Sequence, residues 1–353
     1  MQGLQRILVC ISILALTACS GLGPTTIPRD RFDYNAAISD SWKDQTLLNI
    51  VKLRYADVPL FVEVASVVSG YSLEGSASLL GSTGSSGNLD EDSVSLGGNA
   101  KFTDRPTITY APIKGSKFNK SFMTPIPPAA ILFLIQSGWP VTTIFPLTVD
   151  SINGQRSQLA AGQSARPGHD DYYRVVELFR EMQLSGATAM QIEDRAIEDR
   201  ALLIIHKRAL DEEGEAAALE LAELLDIRPG QRSYRVRYGY LPGDDSEIAL
   251  ITRSMLQVII NLAAQISVPP EHISEGRTLA SNEMEESRRL IDVRWSESEP
   301  TSAFVKVRYR DTWYYIDDRD FASKSVFTFV MVLFSLTESG DNTGLPLVTI
   351  PAG

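Results

Sequence analysis

The chain has 353 residues, 44% of them hydrophobic and 22% charged, with 24 glycines and 18 prolines. These proportions exclude a collagen-like or wholly disordered chain, and the length suits one large domain or two. Lys and Arg total 33 against 44 Asp and Glu, a formal net charge of −11, so the surface repels phosphate backbones and argues against a nucleic-acid partner.

At the N-terminus, Arg6 precedes Ile7–Leu16, a run that is apolar apart from Cys10 and Ser12. It is too short to cross a bilayer as a helix and reads as the core of a signal peptide. Small residues then lead to a cysteine in Leu16-Thr17-Ala18-Cys19. This tetrapeptide resembles the lipobox of bacterial lipoproteins. The resemblance implies cleavage of residues 1–18, diacylglycerol on the Cys19 thiol and an acylated Cys19 amine. Ser20 in the next position implies sorting to the outer membrane of a Gram-negative envelope, facing the periplasm. A plain secretory signal with a chance cysteine is the competing reading. In the lipoprotein reading Cys10 leaves with the signal and Cys19 carries lipid, so no thiol is free to form a disulfide and stability must come from core burial. Three acyl chains at Cys19 would anchor the protein effectively permanently.

Residues 19–31 read as a Gly/Pro/Thr tether, and Asp33–Tyr55 as a helix ended by Pro59. From Val67 the chain alternates: Tyr71, Leu73, Gly75, Ala77 and Leu79 fall on one face, and Ser72, Glu74, Ser76 and Ser78 on the other. After the polar stretch Gly81–Ser93, Val94, Leu96, Gly98, Ala100 and Phe102 alternate with polar residues in the same way. This predicts a long β-hairpin over 67–103 with one apolar face, and Asp104–Ile113 continues as strand.

A helix opens at Thr124–Pro128, and its apolar run Ala129–Gln136 predicts burial on every side. Residues 155–171 are polar and contain Gly, Ser and Pro, which suggests a linker between 32–154 and a C-terminal domain over 172–353. Beyond it we expect helices at Tyr172–Leu184, Asp211–Leu225 and Ser254–Ile266. Strands are expected near Thr188–Ile192, Ala201–Lys207, Tyr234–Tyr240, Glu247–Thr252 and Leu290–Trp295. Phe304–Tyr309 and Thr312–Ile316 form a hairpin about Arg310-Asp311, followed by a helix to Glu338 and a short strand at Pro346–Ile350. Strand pairs interspersed with helices indicate an α+β fold with mixed and antiparallel sheets.

Chemistry is sparse. His169, His206 and His272 show no metal-binding spacing, and G-x-S-x-G, S-x-x-K and Walker A motifs do not occur. Asn88, Asp90 and Asp92 have calcium-loop spacing but lack the glycine and the closing Glu. Asp317, Asp318 and Asp320 would suit acid–base work, yet at a helix start they read more simply as caps. Trp313, Tyr314 and Tyr315, with Tyr309 and Trp295, would suit stacking on a sugar or peptide, or plain sheet packing.

The expected protein is therefore a non-enzymatic outer-membrane lipoprotein without cofactor or metal, touching the membrane through Cys19 and other envelope proteins through its body. The residues expected at a membrane or interface are Tyr71, Leu73, Leu79, Val94, Leu96 and Phe102. In plan, the lipobox and this hairpin resemble the curli-export channel lipoprotein. That resemblance implies a homo-oligomeric export pore built from hairpins of neighbouring subunits. The plainer alternative is a strand pair covering the protein's own core.

Overall fold

A computed structural model describes residues 22–68, 71–82, 93–104, 107–159, 166–186, 188–192, 201–205, 212–231, 233–280 and 288–337. The fold is α+β, with mixed and antiparallel sheets. Cys19, His206, the calcium-loop positions Asn88, Asp90 and Asp92, and the strand expected at Pro346–Ile350 lie outside the described residues.

The chain divides into two units, which in described residues are 22–60 with 114–337, and 61–113. The larger unit opens with α1 (Leu22–Arg54). The tether expected over 19–31 is thus helical from Leu22. Pro24 falls in the first turn, where backbone N–H groups have no intrahelical partner in any case, so only Pro28 removes a bond from the helix. Leu47, Ile50 and Val51 bury one side of the second half of α1.

After the smaller unit come α2 (Gly115–Phe118), which runs into a π-helical turn at Asn119–Met123, then α3 (Pro128–Gln136) and α4 (Val141–Thr148). Ile131, Leu132 and Leu134 of α3 are buried but Phe133 is 57% exposed, so α3 is covered on part of its circumference rather than all of it. The strands β5 (Val149–Ile152) and β6 (Gln155–Arg156) turn about Asn153-Gly154, both with positive φ, the conformation an Asn-Gly hairpin favours. The helix α5 (Asp170–Leu184), strands β7 (Thr188–Ile192) and β8 (Ala201–Ile205), helix α6 (Glu212–Leu224), and strands β9 (Ser233–Tyr238) and β10 (Glu247–Thr252) follow.

These six strands form one sheet in the order β6-β5-β10-β9-β8-β7, antiparallel except for the parallel pair β9 and β10. Ile248, Ala249 and Leu250 of the central β10 are at most 2% exposed. Since β5 and β6 pair within a sheet otherwise drawn from 188–252, the segment 155–171 runs inside one unit instead of linking two. Backbone pairing, invisible in local composition, decides that boundary.

Ser254 caps α7 (Met255–Ala263) through a capping box with Gln257. The short α8 (Pro270–Ser274) precedes a three-stranded antiparallel sheet, β11 (Arg294–Ser296), β13 (Thr312–Asp317) and β12 (Ala303–Tyr309) in spatial order. The strand expected from Leu290 begins only at Arg294. Before it, the backbone N–H of Leu290 donates to the Gln265 side chain and the Val293 carbonyl accepts from Ser267. The last described element is α9 (Phe321–Thr337).

The smaller unit holds two antiparallel pairs. Strand β1 (Val62–Val68) pairs with β4 (Thr107–Pro112), and β2 (Tyr71–Ser82) pairs with β3 (Ser93–Asp104) in unbroken register from Tyr71↔Asp104 to Ser82↔Ser93. The predicted hairpin is therefore flanked in the chain by a second antiparallel pair, β1 with β4.

Candidate functional site

The strand pair β2–β3 carries all six hairpin residues singled out from the alternation. Leu73 stands opposite Phe102, Leu79 opposite Leu96, Gly81 opposite Val94 and Tyr71 opposite Asp104. Directly paired residues share a face, so the register gathers these residues on one side of the ribbon. The other side gathers Ser72↔Thr103, Glu74↔Lys101, Ser76↔Asn99 and Ser78↔Gly97, of which Glu74, Ser76, Ser78, Lys101 and Asn99 are exposed. Among the described residues neither β2 nor β3 has a second neighbouring strand, so both outer edges offer unpaired backbone groups. The other pair exposes apolar side chains. Val64 stands opposite Tyr110, and Val64, Ile108 and Tyr110 are exposed, Tyr110 by 53%.

Two buried polar clusters organise the larger unit, and neither was visible in sequence. Arg253, just after β10, is 2% exposed. Its Nη1 donates to the Pro146 and Leu147 carbonyls, and its Nη2 to the Ser157 hydroxyl, the Gln158 carbonyl and Asp150. Asp150 also accepts two bonds from Arg166, at 2.8 and 2.9 Å. Burial pushes the Arg253 guanidinium below its ordinary value, and nearby Tyr172 and Asp150 oppose that push. The Arg253 Nε is buried without a hydrogen-bond partner. With all five of its acceptors between Pro146 and Gln158, three of them backbone carbonyls, Arg253 acts as a clamp on that stretch of chain.

The second cluster joins three distant elements. The Tyr55 hydroxyl, at the end of α1, lies 2.6 Å from Nδ1 of His272 on α8 and also bonds the hydroxyl of Tyr314 on β13. Tyr55 and Tyr314 are both raised above the ordinary phenol value, chiefly by burial. Arg310 stacks over the Tyr55 and Tyr309 rings, and Tyr309 donates to Asp57 at 2.9 Å. Arg54 and Thr278 close the same junction with reciprocal bonds, the Arg54 guanidinium donating to Thr278 Oγ1 and Thr278 Oγ1 donating to the Arg54 carbonyl.

The aromatic strip divides as its alternation predicts. Tyr314 is buried, whereas Trp313 and Tyr315 face outward and are half-buried. The aspartates at the start of α9 have structural partners. Asp320 accepts from the backbone N–H and hydroxyl of Ser323, Asp318 pairs with Lys324, and Asp317 accepts from the Arg319 N–H. His169 sits in an exposed loop bonded to Gln155. Among the described residues no group of His, Cys, Asp and Glu side chains is placed to hold a metal ion, and no helix is long and apolar enough to cross a membrane.

Comparison with known proteins adds nothing to this geometry: no protein-family model, curated protein or solved structure matches the chain.

Proposed function

We propose that this chain is a lipid-anchored protein of the outer membrane, facing the periplasm. In this reading its α+β body has a structural or assembly role, contacts other envelope proteins, and turns over no substrate. The anchor rests on the lipobox-like Leu16-Thr17-Ala18-Cys19. The interaction role rests on one observation: the ribbon of 61–113 leaves Val64, Ile108 and Tyr110 exposed on a two-stranded pair. An isolated two-stranded ribbon is at best marginally stable in water, so such a surface gains most when another chain covers it. The partners of Asp317, Asp318 and Asp320 account for those carboxylates as caps and ion pairs, which supports the non-catalytic reading.

Metabolic labelling with palmitate tests the anchor. The wild-type chain should take up label and sediment with outer membranes, whereas Cys19→Ala should lose the label and enter the soluble periplasmic fraction. A photo-crosslinking residue at Tyr110 tests the interaction. It should give discrete adducts in cells, whereas the same residue at Leu219, which is 58% exposed on α6, should not. Equal adducts from both positions would remove the ribbon from the reading.

A second reading is favoured by the twelve-pair register of β2–β3. At about 3.4 Å per residue these strands reach roughly 40 Å, more than the apolar band of an outer membrane requires even when tilted. An apolar face toward lipid and a face of Ser, Glu, Asn and Lys toward water would suit a barrel closed by ribbons from several copies. This reading requires a heat-labile ring on gels and ion conductance in planar bilayers, both lost when Leu79–Ser95 is deleted. Retention of either by the deletion variant contradicts it.

A further inference from the structure

Between α1 and the outward face of β12 and β13 lies a cleft of about 440 Å³ that the proposed function does not use. Helical spacing puts Asp40, Lys43 and Asp44 on one wall. Strand alternation puts Phe304 and Lys306 on the other, with Trp313 on the neighbouring strand at the end of the cleft. The volume lies within the range of small-molecule sites, about 300–1,000 Å³.

The groups in this cleft are unequally occupied. Lys43 pairs with Asp40 at 2.6 Å and Lys306 with Glu299 at 2.8 Å. The Phe304 ring already has the ammonium groups of Lys43 and Lys324 over it, each 5.2 Å from the centroid. By contrast, among the described residues the Trp313 indole has no ring, cation or hydrogen-bond partner, and the Asp44 carboxylate has neither a hydrogen bond nor an ion pair. Desolvation and the neighbouring Asp40 raise the exposed Asp44 carboxyl above its usual range, against the pull of Lys43 and Lys306. The cleft thus offers one open aromatic face, one open N–H donor and one open acceptor.

The charges restrict what fits. Asp40 and Asp44 against Lys43 and Lys306 cancel, so neither a cation nor an anion gains a net field. An apolar ligand would leave the Asp44 carboxylate without hydrogen bonds. A pyranose ring meets both requirements: its C–H face packs on an indole while its hydroxyls donate to a carboxylate and accept from an indole N–H or an ammonium. We propose that this cleft binds a glycan chain, seating one sugar ring against Trp313 with a hydroxyl bonded to Asp44. The site lies wholly within the larger unit, and the inference is independent of the lipid anchor and of the ribbon.

Saturation-transfer NMR on the full chain in a zwitterionic, non-glycosidic detergent tests it, with chitotetraose and cellotetraose as probes at millimolar concentration. At least one probe should receive saturation on its ring protons. Transfer to chitotetraose alone assigns an acetamido sugar, and transfer to both assigns the broader class of β-1,4-linked chains. Trp313→Ala should abolish the transfer, Trp313→Phe should retain part of it, and Asp44→Ala should weaken binding about tenfold with an unchanged melting temperature. The inference is overturned if neither probe receives saturation from the wild-type chain, or if folded Trp313→Ala binds as the wild type does. Should Trp313→Ala not fold, the exposed Asp44→Ala decides, and unchanged affinity there overturns it equally.

Discussion

The hydroxyl of Tyr55 lies 2.6 Å from Nδ1 of His272, 217 positions away in the chain. With Nδ1 unprotonated, Tyr55 donates to it and accepts in turn from Tyr314, which satisfies all three groups. Burial is the main cause that lowers the His272 pKa from the ordinary 6.5, and Arg277 adds to it while Glu271 and Glu275 oppose it. The unfolded chain therefore takes up this proton at higher pH than the folded one. The stability that neutral His272 contributes is complete above about pH 6.5 and is lost as the pH falls through the lower folded value. Urea midpoints measured from about pH 8 down to pH 5 should decline across this window, and His272→Gln should flatten the decline.

Removing hydroxyls from the same chain of bonds should cost unequally. Tyr314→Phe takes away one end and leaves the Tyr55–His272 bond, at a cost of about 1 kcal/mol. Tyr55→Phe strands His272 Nδ1 and leaves the Tyr314 hydroxyl with Thr312 alone, and should cost about 2–3 kcal/mol. Chemical denaturation of the two variants reads the difference, and equal costs would mean that the middle hydroxyl does not link the other two.

Arg253→Met should be among the most damaging single changes in the larger unit. It deprives the Pro146, Leu147 and Gln158 carbonyls of their donor and leaves Asp150 with Arg166 alone, a loss of about 3–5 kcal/mol. Arg253→Lys should recover little, because a single ammonium cannot serve acceptors spread over both terminal nitrogens. A thermal melt of the two variants beside the wild type checks the order.

The start of α7 offers a milder test. Ser254 accepts from the Gln257 N–H, and Gln257 reaches back to the Ser254 N–H at 2.8 Å. Ser254→Ala should cost about 1 kcal/mol, and Ser254→Asp should retain most of the cap. A drop in melting temperature for both alike would argue that the hydroxyl packs rather than caps.

Much of the fold was legible because it follows local period. Glu247–Thr252 and Thr188–Ile192 occur with the bounds expected of them, and the turn at Arg310-Asp311 joins the hairpin it was expected to join, both residues with positive φ. The β5–β6 turn could have been found as well, since Asn153-Gly154 is a strong two-residue hairpin signal, but the strands on either side are too short to show alternation. The Arg253 clamp and the Tyr55–His272–Tyr314 chain left no trace in sequence. Their partners come together only through tertiary packing, and a lone Arg or His near a strand or a double proline looks the same whether buried or exposed. For the cleft, the outward placement of Trp313 was readable from alternation, but the apposition of Asp44 across from it was not.

Because β5 hydrogen-bonds to β10 and the end of α1 is tied to β13, this unit is stitched together by contacts of very long sequence separation. Loop closure on that scale slows folding and postpones the central sheet until Thr252 is available, and the α1 junction until Tyr314 is. A chain cut short before Tyr314 would lack the closing member of that junction, so translation should pass Tyr314 before a protease-resistant body can form.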